Sequence, residues 1–240
     1  MTRIEKMNDV GIGRQNIAYY DDIATDYDTI LDQDSSNAVV RAKVADTFTT
    51  LVKSGTVLDF GGGTGRDLEW LLQNKYCVAF CEPSRAMRKI AMDRNKNELP
   101  GTCIYFLDDG KTDFRSWNDL FPFEQKVNAV LANFAVINCI PDIGLFFKKL
   151  ALVTKKGGTV VALILENSLM KRLSSNLRGT INSFFSVKPV YIIIDFKGLR
   201  QVVYIHSTRS IKKAVAGHFE FMRFERLHKF GFSLIHLVRK

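Results

Sequence analysis

Two hydrophobic rhythms alternate along the middle of the chain, and their order predicts an α/β fold. Thr56 to Phe60 (TVLDF) is a short apolar run that ends in glycines, as a buried parallel strand does before its helix. Asp67 to Gln73 follows, with apolar residues at 68, 71 and 72 forming a helical stripe. Tyr76 to Cys81 reads as a second strand, Ser84 to Asn95 as a helix capped by Ser84, and Cys103 to Leu107 as a third strand. Val127 to Ala132 is the fourth. Ile143 to Val153 is a helix stopped by Lys155-Lys156-Gly157-Gly158, and Thr159 to Leu165 is the fifth strand. A βαβ succession with short connections predicts a doubly wound, mostly parallel sheet.

Two flanking segments stand outside that succession. Residues 1–50 predict an N-terminal helical cap, because YYDDIATDYDTIL puts Ile23, Tyr27 and Ile30 or Leu31 on one helical face. Within residues 168–206, Leu169 to Phe185 predicts a basic helix. Val187 to Phe196 and Leu199 to His206 then predict two strands joined through Lys197-Gly198, so the segment reads as a helix-hairpin lid. Residues 207–240 close the fold with a helix at Ser207 to Gly217 and strands at Phe219 to Leu227 and Phe232 to Val238. No linker divides the chain, so 1–240 is expected to be one domain around a core at 51–167.

At 240 residues and 46% hydrophobic, the chain has the composition of a globular domain. Its apolar runs fall far short of the roughly 18 residues needed to span a bilayer. The N-terminus MTRIEKMNDVGIGRQN has no apolar core of a secretory signal, so a cytoplasmic location is expected. Four cysteines (77, 81, 103 and 139) are too few for a disulfide framework and lack paired metal-ligand spacing, so they are read as inert buried thiols with no metal site. The net charge of +9 is unevenly placed: residues 1–167 hold 20 Lys+Arg against 22 Asp+Glu, whereas 168–240 hold 14 against 3. An anionic partner or a solvated basic face both account for that excess.

The most informative stretch is VLDFGGGTG at 57–65, a strand ending directly in a glycine loop that opens a helix. Without Cβ atoms, Gly61, Gly63 and Gly65 let the backbone turn sharply and approach a nucleotide-type ligand. The spacing is G-x-G-x-G. Arg66 stands where a dinucleotide fingerprint needs its last glycine. The second strand delivers Glu82 at its C-terminal end, 17 residues beyond Gly65, where a carboxylate can accept from both ribose hydroxyls; capping the following helix is its simpler role. Asp108-Asp109-Gly110 ends the third strand, where an acid can accept from an adenine amino group; a surface turn is the alternative.

VLDFGGGTG, Glu82, Asp109-Gly110 and VNAVLANFAVINCIPD at 127–142 together resemble the class I S-adenosylmethionine-dependent methyltransferases in motif order and spacing, over roughly Tyr19 to the C-terminus. The resemblance implies a Rossmann-like, seven-stranded sheet with an antiparallel last strand. It implies S-adenosylmethionine as cofactor, with Asp59, Gly61, Gly63 and Gly65 around the methionyl end, Glu82 on the ribose, and Asp109 and Gly110 on the adenine. Asn133 and Phe134 would lie beneath the sulfonium, and Tyr19 or Tyr27 would close over the cofactor, as in small-molecule members. Asn128 departs from an acid common at the start of strand four, and Asn138-Cys139 from a pair that often contains His.

Transfer from a sulfonium needs alignment and exclusion of water more than acid-base groups. No catalytic residue is therefore assigned, although His206 is the one histidine on an expected pocket element. Lys171, Arg172, Arg178, Lys188, Lys197 and Arg200 against Asp195 in the lid suggest a small, anionic or lipid-like acceptor. An RNA acceptor read by the basic C-terminal part and a cofactor-binding protein without turnover are the alternatives. Nucleic acid is the less expected partner, because the basic residues are interleaved with long apolar runs.

Overall fold

The structure is a computed structural model, which describes residues 9–96, 101–165, 190–196 and 198–240. Three helices come first: α1 (Asp9–Ile23), α2 (Tyr27–Asp32) and α3 (Ser36–Leu51). The core then runs β1 (Thr56–Phe60), α4 (Leu68–Gln73), β2 (Cys77–Cys81), α5 (Arg85–Arg94), β3 (Cys103–Phe106), β4 (Val127–Ala132), α6 (Ile143–Val153) and β5 (Thr154–Leu165). A two-stranded ribbon, β6 (Val190–Phe196) and β7 (Leu199–Ile205), precedes α7 (Thr208–Val215), β8 (Phe219–Leu227) and β9 (Phe232–Arg239).

The sheet has seven strands in the order β3-β2-β1-β4-β5-β9-β8. The strands from β3 to β5 are parallel, and β9 runs antiparallel to both neighbours. Strand alternation divides the core in two. Leu58, Val130 and Val160 pack under Phe146, Phe147 and Leu150 of α6. Val57, Val78 and Leu131 pack under Val44 and Phe48 of α3 and Leu71 of α4. Among the described residues no helix is long and apolar enough to cross a membrane.

Three expectations need amendment. The apolar stripe read across residues 19–31 is not one helix: it breaks between Ile23 and Tyr27, where Asp26 N–H donates to the Ile23 carbonyl. Lys155 to Gly158 does not separate helix from strand, because β5 begins at Thr154 and carries these residues through a register shift against β4. The four cysteines are not all thiols. Cys77 and Cys103 are directly opposite in the β2–β3 ladder, 4.5 Å apart at Cα, and form a disulfide; that neighbour relation comes from register and is invisible in spacing. Cys81 and Cys139 are free. The expected basic helix at 169–185 and lysines 171, 188 and 197 lie outside the described residues, as do Arg172 and Arg178.

α1 and the ribbon sit above the C-terminal ends of the parallel strands, and both are fastened there by side chains. Asn16 donates to the Val202 carbonyl and accepts from the Val202 N–H, both at 2.9 Å, so it mimics one more strand residue on the edge of β7. Asn138 donates to the Tyr204 carbonyl at 2.7 Å and accepts from the Leu165 N–H at 3.0 Å, tying the ribbon to β5.

Candidate active site

A cavity of about 570 Å3 opens above β1, β2 and β4 and is roofed by α1. Its floor is the loop after β1. Gly61 and Gly65 have φ of +70° and +78°, a conformation only glycine adopts without strain. Sterics add to that. A Cβ at Gly61 would stand 2.1 Å from Cγ2 of Val136, and one at Gly65 2.9 Å from Cβ of Ala91. The loop is pinned to the end of β2 by Gly61 N–H donating to the Cys81 carbonyl at 2.7 Å.

Glu82 follows β2 and is buried, with its two oxygens accepting from the Gly63 N–H at 2.9 Å and the Ser84 N–H at 2.8 Å. Burial raises its carboxyl to about pH 7, while the two amide donors and Arg88 act in the opposite sense. The carboxylate therefore braces the glycine loop and faces the cavity as well. Ser84 caps α5, its hydroxyl accepting from the Met87 N–H at 3.2 Å. Asp21 of α1 accepts from the Ser84 hydroxyl at 2.7 Å and the Ala86 N–H at 3.0 Å, so the roof is locked to the same turn.

Asp59 is buried beneath the loop. As the odd-numbered partner of Val57 in β1 it faces α3 and α4, with Oδ2 unpartnered and burial, then Asp67, pushing its carboxyl well above the usual range. A second acid is satisfied: Asp67 accepts from Asn133 Nδ2 at 2.9 Å and from Trp70 Nε1 at 2.9 Å, and pairs with Arg41 at 2.6 Å. The Arg41 guanidinium in turn lies 4.3 Å from the centre of the Phe134 ring. Phe134 and Ala135 both have positive φ, +46° and +64°, a strained pair placed where β4 meets the cavity.

Of the residues expected from sequence, Tyr27, Gly61, Gly63, Glu82, Asp109, Asn133 and Phe134 meet in the cavity wall. Tyr19, Asp59, Gly65 and Gly110 do not line it. Tyr19 is buried against Ile23, Ala24 and Met87, and the neighbouring Tyr20 reaches the cavity instead. Asp109 lies at the wall with its carboxylate shared between Arg85 (Nε to Oδ2, 2.6 Å) and Arg88, which hold it below the ordinary carboxylate range. His206 is outside the wall. Its Nε2 is 3.0 Å from the Ile140 carbonyl oxygen, and burial lowers its pKa, so nothing in its placement marks it as a base for a ligand in the cavity.

Several residues that form or brace the wall escape sequence reasoning because their partners are far away in the chain. Arg41 is one. Asp28 of α2 accepts from the Thr64 hydroxyl at 2.6 Å and pairs with Arg94, latching α2 to the glycine loop. Gln201 of the ribbon donates to the Tyr20 hydroxyl at 2.6 Å and to Cys139 Sγ at 3.4 Å, closing the cavity from the β7 side. Only the acid-rich pattern around Asp28 was a visible signal.

A family model described as a methyltransferase domain matches residues 33–237, and the chain belongs to that family. A search of curated proteins gave no match. Among solved structures, the DhpI complex with S-adenosylhomocysteine is similar with a TM-score of 0.69 at 14% identity, covering 97% of this chain and 98% of that one. The 1,6-didemethyltoxoflavin-N1-methyltransferase of Burkholderia thailandensis, solved with 1,6-didemethyltoxoflavin and S-adenosylhomocysteine bound, gives 0.66 at 12% identity over 98% and 91%. An S-adenosylmethionine-dependent methyltransferase from Clostridium acetobutylicum gives 0.63 at 14% over 92% and 98%. The fold is thus that of the class I S-adenosylmethionine-dependent methyltransferases, with the expected seven strands and antiparallel closing strand.

Proposed function

We propose that this chain transfers the methyl group of S-adenosylmethionine to a small, anionic or lipid-like acceptor held between the glycine loop and α1. The observation that carries this reading is the brace between Glu82 and Gly63 inside a cavity of about 570 Å3, a volume suited to a nucleoside and a compact second molecule. The side chains fit the cofactor. Asp59 keeps one buried oxygen without a partner beneath the loop, and Cβ atoms at Gly61 or Gly65 would collide with neighbouring side chains.

In this reading Glu82 accepts from the ribose hydroxyls, and the Gly61 and Gly63 backbone carries the methionyl end, with Gly65 shaping the turn behind it. Asp59 lies below, where an ammonium would favour its ionised form. Asp109 bounds the adenine. Asn133 and Phe134 lie under the sulfur, held by Asp67 and Arg41. Tyr27 covers Gly63, its Cε1 3.8 Å from where a Cβ would stand, and Tyr19 packs behind it in the roof.

When bound, S-adenosylmethionine supplies a methyl group already activated by its sulfonium. The protein's task is then to align the acceptor and exclude water, which the roof of α1 and the ribbon serves. The neighbouring structures solved with small acceptors or with the demethylated cofactor lend support to a small-molecule acceptor here. Incubation with methyl-labelled S-adenosylmethionine and a panel of small anionic and amphipathic compounds is the test. A labelled small product with release of S-adenosylhomocysteine is expected; label transferred to RNA alone would contradict the reading.

A further inference from the structure

Five arginines line the cavity: Arg14, Arg41, Arg66, Arg85 and Arg115. Four are paired with carboxylates: Arg41 with Asp67 at 2.6 Å, Arg66 with Asp32 at 2.6 Å, Arg85 with Asp109, and Arg115 with Asp113 through Nε alone. Arg14 and Arg115 differ from the rest in the donors they leave free. Among the described residues Arg14 has no ion pair or hydrogen bond, and Arg115 uses only its Nε, which donates to Asp113 at 2.8 Å. Both Nη groups of Arg115 remain for a ligand.

The two side chains line the cavity from separate elements. Val10, Gly13, Arg14 and Ile17 recur at helical spacing along the face of α1 that lines the cavity. Arg115 approaches that face from the connection after β3, its Nη2 lying 3.3 Å from where a Cβ on Gly13 would stand. The missing side chain at Gly13 is what admits the guanidinium. Beside this cationic corner the wall is apolar, with Val10, Ile17, Phe114 and Ile140.

We infer that Arg14 and Arg115 form an oxyanion-recognition subsite that holds a carboxylate or phosphate of the methyl acceptor while its apolar body lies against α1. The inference rests on the acceptor reading above and deepens it: a planar guanidinium with two free Nη groups matches a carboxylate or phosphate edge, and a second cation on the same cavity wall adds to the attraction. An acceptor without an anionic group would leave both Nη groups of Arg115 unused at the cavity wall.

Calorimetric titration of benzoate, phenylphosphate and benzyl alcohol into the full-length protein, with and without S-adenosylhomocysteine, tests this. Either or both anions should bind at least about tenfold more tightly than the alcohol, and the stronger one identifies the head group. Arg14→Gln and Arg115→Gln should each weaken the anions about tenfold without weakening benzyl alcohol, and Arg14→Lys and Arg115→Lys should restore part of the loss because charge persists without the fork. Anions that bind no better than benzyl alcohol, or that bind both Gln variants as tightly as the wild type, would overturn the subsite. Absence of S-adenosylhomocysteine binding in the same experiment would instead overturn the methyltransferase reading, while the anion titrations without it still judge the arginines.

Discussion

The Glu82 carboxylate and the Gly63 amide, 19 positions apart, meet at 2.9 Å, so one acid both shapes the glycine loop and faces the cavity that the loop floors. An ionised carboxylate accepts these amide bonds and ribose hydroxyls better than the neutral acid. Because burial places its titration near pH 7 in the unliganded protein, binding should respond to pH in the neutral range. The raised value means that protonation is favoured on folding, so the ionised form is destabilised and the ligand's donors offset that cost. S-adenosylhomocysteine should bind about tenfold more weakly at pH 6 than at pH 8, and Glu82→Gln should remove this dependence while weakening binding at pH 8. Titrations across pH read both; a flat wild-type profile would contradict the role.

Gly61→Ala should abolish cofactor binding and destabilise the fold. The added methyl meets Val136 Cγ2 at 2.1 Å, and the backbone there has φ of +70°. A cost of about 1–3 kcal/mol is expected from overpacking and strain together. The double variant Gly61→Ala/Val136→Ala should recover part of the stability, measured by denaturant unfolding, because it removes the clash and leaves the strain.

Asp59→Asn separates stability from binding. The native carboxylate has a buried, unpartnered oxygen, and an amide carries no charge to desolvate, so the unliganded variant should be more stable by about 1 kcal/mol. The gain should grow as the pH rises from the ordinary carboxylate range of the unfolded chain up to the raised pKa of the folded one, and vanish only below the ordinary carboxylate range, where both states are neutral. Binding of S-adenosylhomocysteine should weaken at the same time. Unfolding midpoints and titrations on one preparation check the opposed signs.

Asn16→Ala should loosen the roof. Asn16 makes two buried hydrogen bonds to Val202, and truncation leaves the Val202 carbonyl and N–H without partners, at about 1–3 kcal/mol. Hydrogen exchange should show faster opening of α1 and β7, with β1, β2 and β4 unchanged.

Much of this was legible in the chain. The parallel strands announce themselves as short apolar runs because both their faces are buried, and the glycine loop with Glu82 is legible because its parts are contiguous or end consecutive strands. What escaped was set by contacts between distant segments. Arg41 meets Asp67 and Phe134, Gln201 meets Tyr20 across 181 positions, and Cys77 meets Cys103 only through strand register. Tyr19 and Tyr20 look alike in sequence, and the helix rotation alone decides that Tyr20 reaches the cavity. The lysine-glycine stretch at 155–158 reads as a stop, yet β5 pairs with β4 on either side of it, at Thr154 and Thr159, and holds it as an irregularity within the strand.

The central claim is that the Gly61–Gly65 loop and Glu82 grip an aminoacylated nucleoside and not a dinucleotide. Calorimetric titration of the wild-type protein with S-adenosylhomocysteine and, separately, with a nicotinamide dinucleotide tests it directly. One site of roughly micromolar affinity for the first, about 8 kcal/mol of binding free energy, is predicted, with none for the second. No binding of S-adenosylhomocysteine, or preferential binding of the dinucleotide, would contradict the account.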